Sequence, residues 1–371
     1  MSGPLEGLRV VELAGLGPAP YACMLLGDLG ADVLRLERLG ARRDPRDLLS
    51  RSRPAVGIDL KRAEAVALVL DLVERADALV EGYRPGVAER LGVGPDDCWA
   101  RNPRLVYGRM TGWGQDGPLA GRAGHDIDYI ALSGALWPIG RAGERPVPPI
   151  NLVGDFGGGG MLLAFGVLAG VYEAQRSGTG QAVDAAMVDG SASLTTMLHS
   201  LHRSGGWAEE RGVNLLDTGA PFYEVYETAD GGYMAVGAIE PQFYAALVEG
   251  LGLAAESLPP QMDRSTWGAT KERFAAIFAT KTRADWTAIF ESTDACVAPV
   301  LAPWEAHDHP HNKARRTFVE VSGVLQPGSA PRFSRTPGAV YPGGAALDGT
   351  LGRWGVPAPE VQSLVGAGVI S

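Results

Sequence analysis

The chain has 371 residues, 46% of them apolar and 20% charged, an ordinary globular composition with length enough for two domains. Its 33 basic and 43 acidic residues leave a net charge of −10, which argues against nucleic acid or an anionic membrane surface as main partner, so an anionic ligand must find a local cluster of Arg and Lys. Cys23, Cys98 and Cys296 are widely spaced without a CxxC, which suits free thiols, and "MSGPLEGLRV" lacks the basic-then-apolar pattern of a secretory signal; the expected location is cytoplasmic.

In chain order, "LRVVEL" (8–13) reads as a buried strand, "GLGPAP" as a break and "YACMLLGDLG" as a short helix stopped by glycine. "ADVLRLE" is a second strand, "RAEAVALVLDLVERA" has helical apolar spacing, and "ALVEGY" and "RLVYGRM" are further strands. Strands alternating with helices imply an α/β domain with a parallel sheet. "ELAGLGPAP" with Glu37 downstream imitates a dinucleotide fingerprint, but Pro18 and Pro20 displace the third glycine and stiffen the loop, so no nicotinamide cofactor is expected. Arg38, Lys61, Arg84 and Arg90 fall at or just beyond strand ends, where an open parallel sheet places its ligand crevice; together they would make a phosphate-binding group.

Three acid–base candidates follow, each at an element boundary. His125 and Asp126 stand at the mouth of the helix-like run in "AGHDIDYIALSGAL" (123–136), as cap or as base. Asp155 precedes four glycines in "NLVGDFGGGG", read as a turn that opens a helix; four exceed what a cap needs and suit close approach of a ligand to main-chain N–H groups. "MLLAFGVLAGVY" (161–172) is too short to span a bilayer and reads as a buried helix. After strand "QAVDAAMV" and helix "SASLTTMLHSLH", two β-like runs flank Asp230-Gly231 as a hairpin, and Glu240 ends a strand before Pro241. Two helix-like segments and the strand "ACVAPVL" complete a smaller α+β domain at 222–325, after a large domain at 1–221 and before a tail at 326–371 with a last helix. The tract His307, His309 and His311 is interrupted by Pro310 and has no cysteine near it, so no metal is expected there.

"GPAPYACMLLGDLGADVLRLE", "EGYRPGVAERLG", "YGRMTGWGQDGP", "GHDIDY" and "GDFGGG" together resemble the CoA-transferase class III superfamily, and within it the α-methylacyl-CoA racemases, over nearly the whole chain. The fourth glycine, in "GDFGGGGML", departs from the usual three followed by a polar residue. The resemblance implies a Rossmann-like doubly wound large domain, a smaller α+β domain and an interlocked homodimer with each active site between the large domain of one subunit and the small domain of the other. It implies His125 and Asp155 as the catalytic acid/base pair, with Glu240 supporting His125. It also implies CoA contacts at Arg38, Ile58, Asp59, Leu60, Lys61, Gly82, Tyr83, Arg84, Arg90, Gly124, Asp126, Ile127, Asp128 and Tyr129, with no cofactor or metal. The reaction it implies is interconversion of (2R)- and (2S)-2-methylacyl-CoA thioesters. The alternative is CoA transfer between acids through an acyl intermediate on Asp155, and a non-catalytic CoA-binding module is a third class; the histidine of "GHD" and the glutamate of "AIE" favour the racemase.

Overall fold

The structure is a computed structural model that describes residues 3–42, 44, 46–255, 257–344 and 347–371. The first strand, β1 (Arg9–Leu13), has Val10, Val11 and Leu13 wholly buried, as a strand covered on both faces requires. After it come α1 (Pro18–Asp28), β2 (Asp32–Arg38), β3 (Ala55–Ile58), α2 (Ala63–Val73), β4 (Ala78–Glu81), α3 (Val87–Leu91), α4 (Pro95–Trp99), β5 (Val106–Thr111) and α5 (Asp126–Leu132). A π-helical segment, Leu152–Met161, runs directly into α6 (Leu162–Ser177), followed by β6 (Ala182–Ala186) and α7 (Met187–Leu194). The six strands pair parallel in the order β3-β2-β1-β4-β5-β6, a doubly wound α/β sheet whose order reverses between β1 and β4. The alternating reading of the sequence holds for every strand it named; it passes over β3, whose four residues, "AVGI", are too few to show a period.

Alternate residues of each strand feed opposite sides of this sheet. Val11, Leu13, Leu34, Leu36, Leu79 and Tyr107 meet α2 and the C-terminal residues Trp354, Val361, Val369 and Ile370. Val10, Val33, Val80, Val106 and Met110 meet α1 and α6. A slip of one residue in any strand would exchange the two sets, so the register is strongly held. Along the sheet edge, Gly57 and Ser371 exchange two main-chain hydrogen bonds of 2.9 Å, and Ile58 bridges Ile370.

The chain divides into two compact units: Met1–Ser133 with Ile150–Leu194 and His311–Ser371, and Gly134–Pro149 with Thr195–Pro310. These are not the segments drawn from the sequence, because residues 134–149 and 195–221 group with the second unit and 311–325 with the first. The second unit holds α8 (Thr196–Arg203), β7 (Tyr223–Glu227), β8 (Tyr233–Gly237), α9 (Pro241–Gly250), α10 (Trp267–Phe278), α11 (Arg283–Phe290) and β9 (Val297–Pro299). Its antiparallel sheet β7-β8-β9 turns at Gly231, with φ of 73°, and lies over Phe222, Tyr226, Phe274, Phe278 and Trp286. The first unit is completed by α12 (Pro310–Arg315), β10 (Phe318–Val321), β11 (Val324–Pro327), α13 (Leu347–Arg353) and α14 (Ala358–Gly366).

Two expectations change here. The Gly-rich stretch is helix, not turn. The helical run Leu152–Ser177 is therefore 26 residues with a mean hydropathy of 1.6, long and apolar enough to cross a bilayer by length and composition, unlike the short segment read at 161–172. Its Leu163, Ala164, Val167, Val171 and Ala174 nonetheless pack on the sheet as a core helix does.

A charge cluster is buried in the same unit. Glu12, wholly buried on β1, pairs with Arg35 and Arg53, each at 3.0 Å, and Arg53 is itself 1% exposed. Burial pushes the Glu12 carboxyl up, opposed by the guanidiniums of Arg53 and Arg35. Arg53 donates to the Pro20 carbonyl at 2.6 Å, which ties the first turn of α1 to this cluster. Removing one partner of a buried pair strands the other, at a cost of about 3–5 kcal/mol. Glu12→Ala is expected to lower unfolding stability by that amount, read as the midpoint of a urea titration, and Glu12→Ala/Arg53→Met to recover part of it.

Candidate active site

A cleft of about 370 Å³ opens at the C-terminal edge of the parallel sheet, lined by Leu16–Pro18 after β1, Gly82–Pro85 after β4 and Met110–Trp113 at the end of β5. This is where the strand order reverses, the place an open α/β sheet leaves a crevice because neighbouring connections run to opposite faces. Its remaining wall comes from Ala120, Arg122–His125, Tyr129, Asp155 and Met187.

His125 enters at the N-cap position of α5, with extended backbone (φ −133°, ψ 173°). The Asp128 carboxylate accepts its main-chain N–H at 2.9 Å. Its imidazole makes no hydrogen bond among the described residues and is exposed, so neither ring nitrogen is occupied by a structural role. His125 thus holds the N-cap position expected at this helix, but its side chain makes no cap hydrogen bond, and Asp128, inside the helix, binds the His125 N–H instead. The main-chain N–H groups of Asp126 and Ile127 likewise lack an acceptor among the described residues, whereas those of Asp128 and Tyr129 bond back to the His125 carbonyl.

Asp155 reaches the same cleft from a different element. It is the fourth residue of the π-helical segment, not a residue before a helix, and the position capping that segment is Asn151, whose side-chain amide donates to Asp155 Oδ2 at 3.1 Å. Gly17, at φ 64° in the N-cap of α1, lies against the same oxygen: a Cβ there would sit 3.3 Å from it. The following glycines serve helix packing. A Cβ on Gly158 would meet the Ser191 nitrogen of α7 at 2.6 Å, and one on Gly160 the Pro18 carbonyl of α1 at 2.7 Å. The reading of these glycines as an approach surface for a ligand is thus replaced by approach of helix to helix.

Also on the cleft wall, Tyr129 stands edge-on to Trp113 with ring centroids 4.8 Å apart, and its hydroxyl donates to the Gly124 carbonyl. Burial raises the Tyr129 hydroxyl pKa, the Asp155 and Asp128 carboxylates add to the rise, and Arg84 opposes it, so these charges act on one another across the cleft. The Gly82–Arg84 turn is held by Glu81, whose carboxylate accepts the Tyr83 N–H at 2.5 Å and the Arg109 Nε–H at 3.1 Å. Burial pushes that carboxyl up to about 6.

Of the residues expected at the site, His125, Asp155, Gly82, Tyr83, Arg84, Gly124 and Tyr129 line this one cleft. Arg38, Asp59, Leu60, Lys61 and Arg90 do not; Arg38 ends β2 beside Ile58 at the end of β3, on the same edge of the sheet. Ile58 and Asp126 are 3% and 6% exposed, so neither side chain is offered to a ligand there. Ile127 and Asp128 are exposed on α5 outside the cleft wall. Glu240 belongs to the second unit, where it precedes Pro241 at the start of α9 and its charge helps raise the Cys296 thiol pKa, after burial. Arg122 and Met187 were not anticipated: Arg122 sits in a loop without periodicity, and Met187 reads in sequence as the end of a strand. The His307–His311 tract spans a 3₁₀ turn and the start of α12, and among the described residues no group of three or more His, Cys, Asp or Glu is placed to hold a metal ion.

A sequence model of CoA-transferase family III matches residues 5–346. The chain is 49% identical to the α-methylacyl-CoA racemase of Mus musculus and 47% to that of Homo sapiens, in each case over 90% of this chain and 87% of the relative. Among solved structures, a CAIB/BAIF family protein from Brucella suis superposes with a TM-score of 0.80 at 22% identity, covering 100% of both chains, which shows the fold. Matched over most of its length by this family's model, and sharing close to half its residues with two of the racemases, the chain belongs to CoA-transferase family III.

Proposed function

We propose that the protein is a racemase of 2-methylacyl-CoA thioesters, with His125 and Asp155 as the two groups that exchange the α-proton. The observation that carries this reading is their meeting: two groups 30 positions apart in sequence line one cleft, in a chain 49% identical to a racemase of this class. Inverting a carbon acid requires a proton to leave one face and another to arrive at the opposite face. A single fixed base returns the proton to the face it came from. With two groups flanking the carbon, one takes the proton while the other, already protonated, gives one, and the roles reverse in the other direction. An imidazole is suited to this because it titrates near neutrality as a residue type.

Acid–base action contributes on the order of 10²–10⁴-fold, too little for so weak a carbon acid. The enolate oxygen formed between the two steps needs fixed donors, each worth on the order of 3 kcal/mol. The unengaged N–H groups of Asp126 and Ile127, which follow His125 directly in the chain, are the donors we assign. Arg84 and Arg122 on the wall, with Arg38, Lys61 and Arg90 along the same sheet edge, would take the phosphates of CoA, and Glu240 would orient His125 from a partner subunit.

A homodimer accords with the exposed stripe Met161, Phe165 and Tyr172 on the Leu152–Ser177 helix, these residues being 49%, 70% and 64% exposed. Phe165→Asp, which puts a charge in that stripe, is expected to shift the protein from dimer to monomer in sedimentation analysis.

In deuterated water the enzyme is expected to exchange the α-hydrogen of a 2-methylacyl-CoA and invert that carbon with no acceptor acid present. His125→Ala and Asp155→Ala should each lose about 10²-fold or more in inversion. Acyl transfer to a free carboxylic acid without α-exchange would establish the transferase chemistry of Asp155 instead, and binding without either reaction would mark a non-catalytic CoA-binding module.

A further inference from the structure

Asp126 is the first residue of α5, next to His125, yet its side chain turns from the cleft and is 6% exposed. Its Oδ1 accepts the main-chain N–H of Asp155 at 2.7 Å, across 29 residues of sequence. Gly154 closes the contact, since a Cβ there would lie 2.8 Å from the Asp126 Cγ. The Asp126 Oδ2 is buried without a hydrogen-bond partner among the described residues.

The bond answers a need of the backbone. A π-helix bonds each N–H to the carbonyl five residues back, so the first N–H groups of the Leu152–Met161 segment have no acceptor within it. The first such bond closes at Phe156, to Asn151. The N–H of Asp155 is one of those left over, and the Asp126 carboxylate supplies its acceptor from a neighbouring helix.

We infer that Asp126 is a positioning residue, whose carboxylate clamps the main chain at Asp155 and so fixes the Asp155 carboxyl in the cleft that His125 shares. This rests on the reading of His125 and Asp155 as the proton-exchanging pair. The inference replaces a side-chain contact to CoA with a strut between the two helix starts: Asp128 holds the main chain of His125, and Asp126 that of Asp155. Desolvation raises the Asp126 carboxyl pKa, opposed by the hydrogen bond from the Asp155 N–H and reinforced by the Asp155 charge.

The test is Asp126→Ala beside Asp126→Asn, which keeps an oxygen facing the Asp155 amide. Misplacement of a reacting group by about 1 Å can cost 10²-fold. Asp126→Ala is expected to lower kcat for inversion by about 10–10²-fold with KM for the acyl-CoA unchanged, and Asp126→Asn to restore most of it. In deuterated water, Asp126→Ala should spare α-exchange with retention from the epimer deprotonated by His125, and lose exchange from the epimer deprotonated by Asp155. A raised KM with unchanged kcat, or equal loss from both epimers, overturns the inference.

A second measurement separates this from the function itself. Amide hydrogen exchange at Asp155 should quicken in Asp126→Ala and stay near wild type in Asp126→Asn, whichever reaction the enzyme performs. If wild-type protein shows no α-exchange, the racemase reading falls, and unchanged amide protection at Asp155 in Asp126→Ala, or in Asp126→Leu, which likewise lacks the acceptor oxygen, should the alanine variant not fold, overturns the clamp.

Discussion

The site depends on how closely three helix starts can approach. Gly158 and Gly190 bring the main chains of the Leu152–Met161 segment and α7 together where a Cβ would strike backbone, and Gly160 does the same against Pro18 of α1. Backbone cannot give way as the tip of a flexible side chain can. The segment is therefore seated by sterics before any polar contact is made, and Asp155 is carried to the C-terminal edge of the sheet between β1 and β4. The cost is the poorer hydrogen bonding and greater backbone entropy of a glycine-rich π-helix, offset by the packing it permits.

On this seat, carboxylates do the fine placement. Glu81, Asp126 and Asp128 each accept a main-chain N–H, of Tyr83, Asp155 and His125 respectively, at 2.5, 2.7 and 2.9 Å. Each of those N–H groups lies in a turn or at a helix start, where no carbonyl of the regular structure reaches it. A charged acceptor makes a shorter and stronger bond than a neutral one. Acidic side chains thus brace the mouth of a cleft whose own lining carries Arg84 and Arg122. Deeper in, Glu12, Arg35 and Arg53 brace α1 from below by the same principle, through the Pro20 carbonyl.

The sequence displays its sheet plainly. Runs such as "LRVVEL" and "RLVYGRM" are apolar throughout because both faces of a parallel sheet are covered, and Asp230-Gly231 marks its hairpin because positive φ is needed there. The candidate pair was legible as residue types at element boundaries, since His125 and Asp155 each stand beside a break in periodicity. What escaped reading is what depends on distant partners. Four glycines look alike whether they line a ligand or a neighbouring helix, and only α1 and α7 decide between the two. Asp126 beside a helix run looks like a cap for that helix; its true partner is 29 residues away. The unit boundaries escaped for the same reason, because residues 134–149 and 195–221 join the second unit by contacts that composition does not mark.

Ser371 pairing with Gly57, and Trp354 to Ile370 covering one sheet face, give the first unit a particular history. During synthesis residues 354–371 must emerge before the outermost strand gains its neighbour, so the N-terminal sheet waits, incompletely covered, while the second unit emerges. Contacts spanning more than three hundred residues close slowly because the loop entropy is lost before the contact is gained. The first unit is thus completed late, when residues 354–371 dock on a sheet whose strands were made long before them.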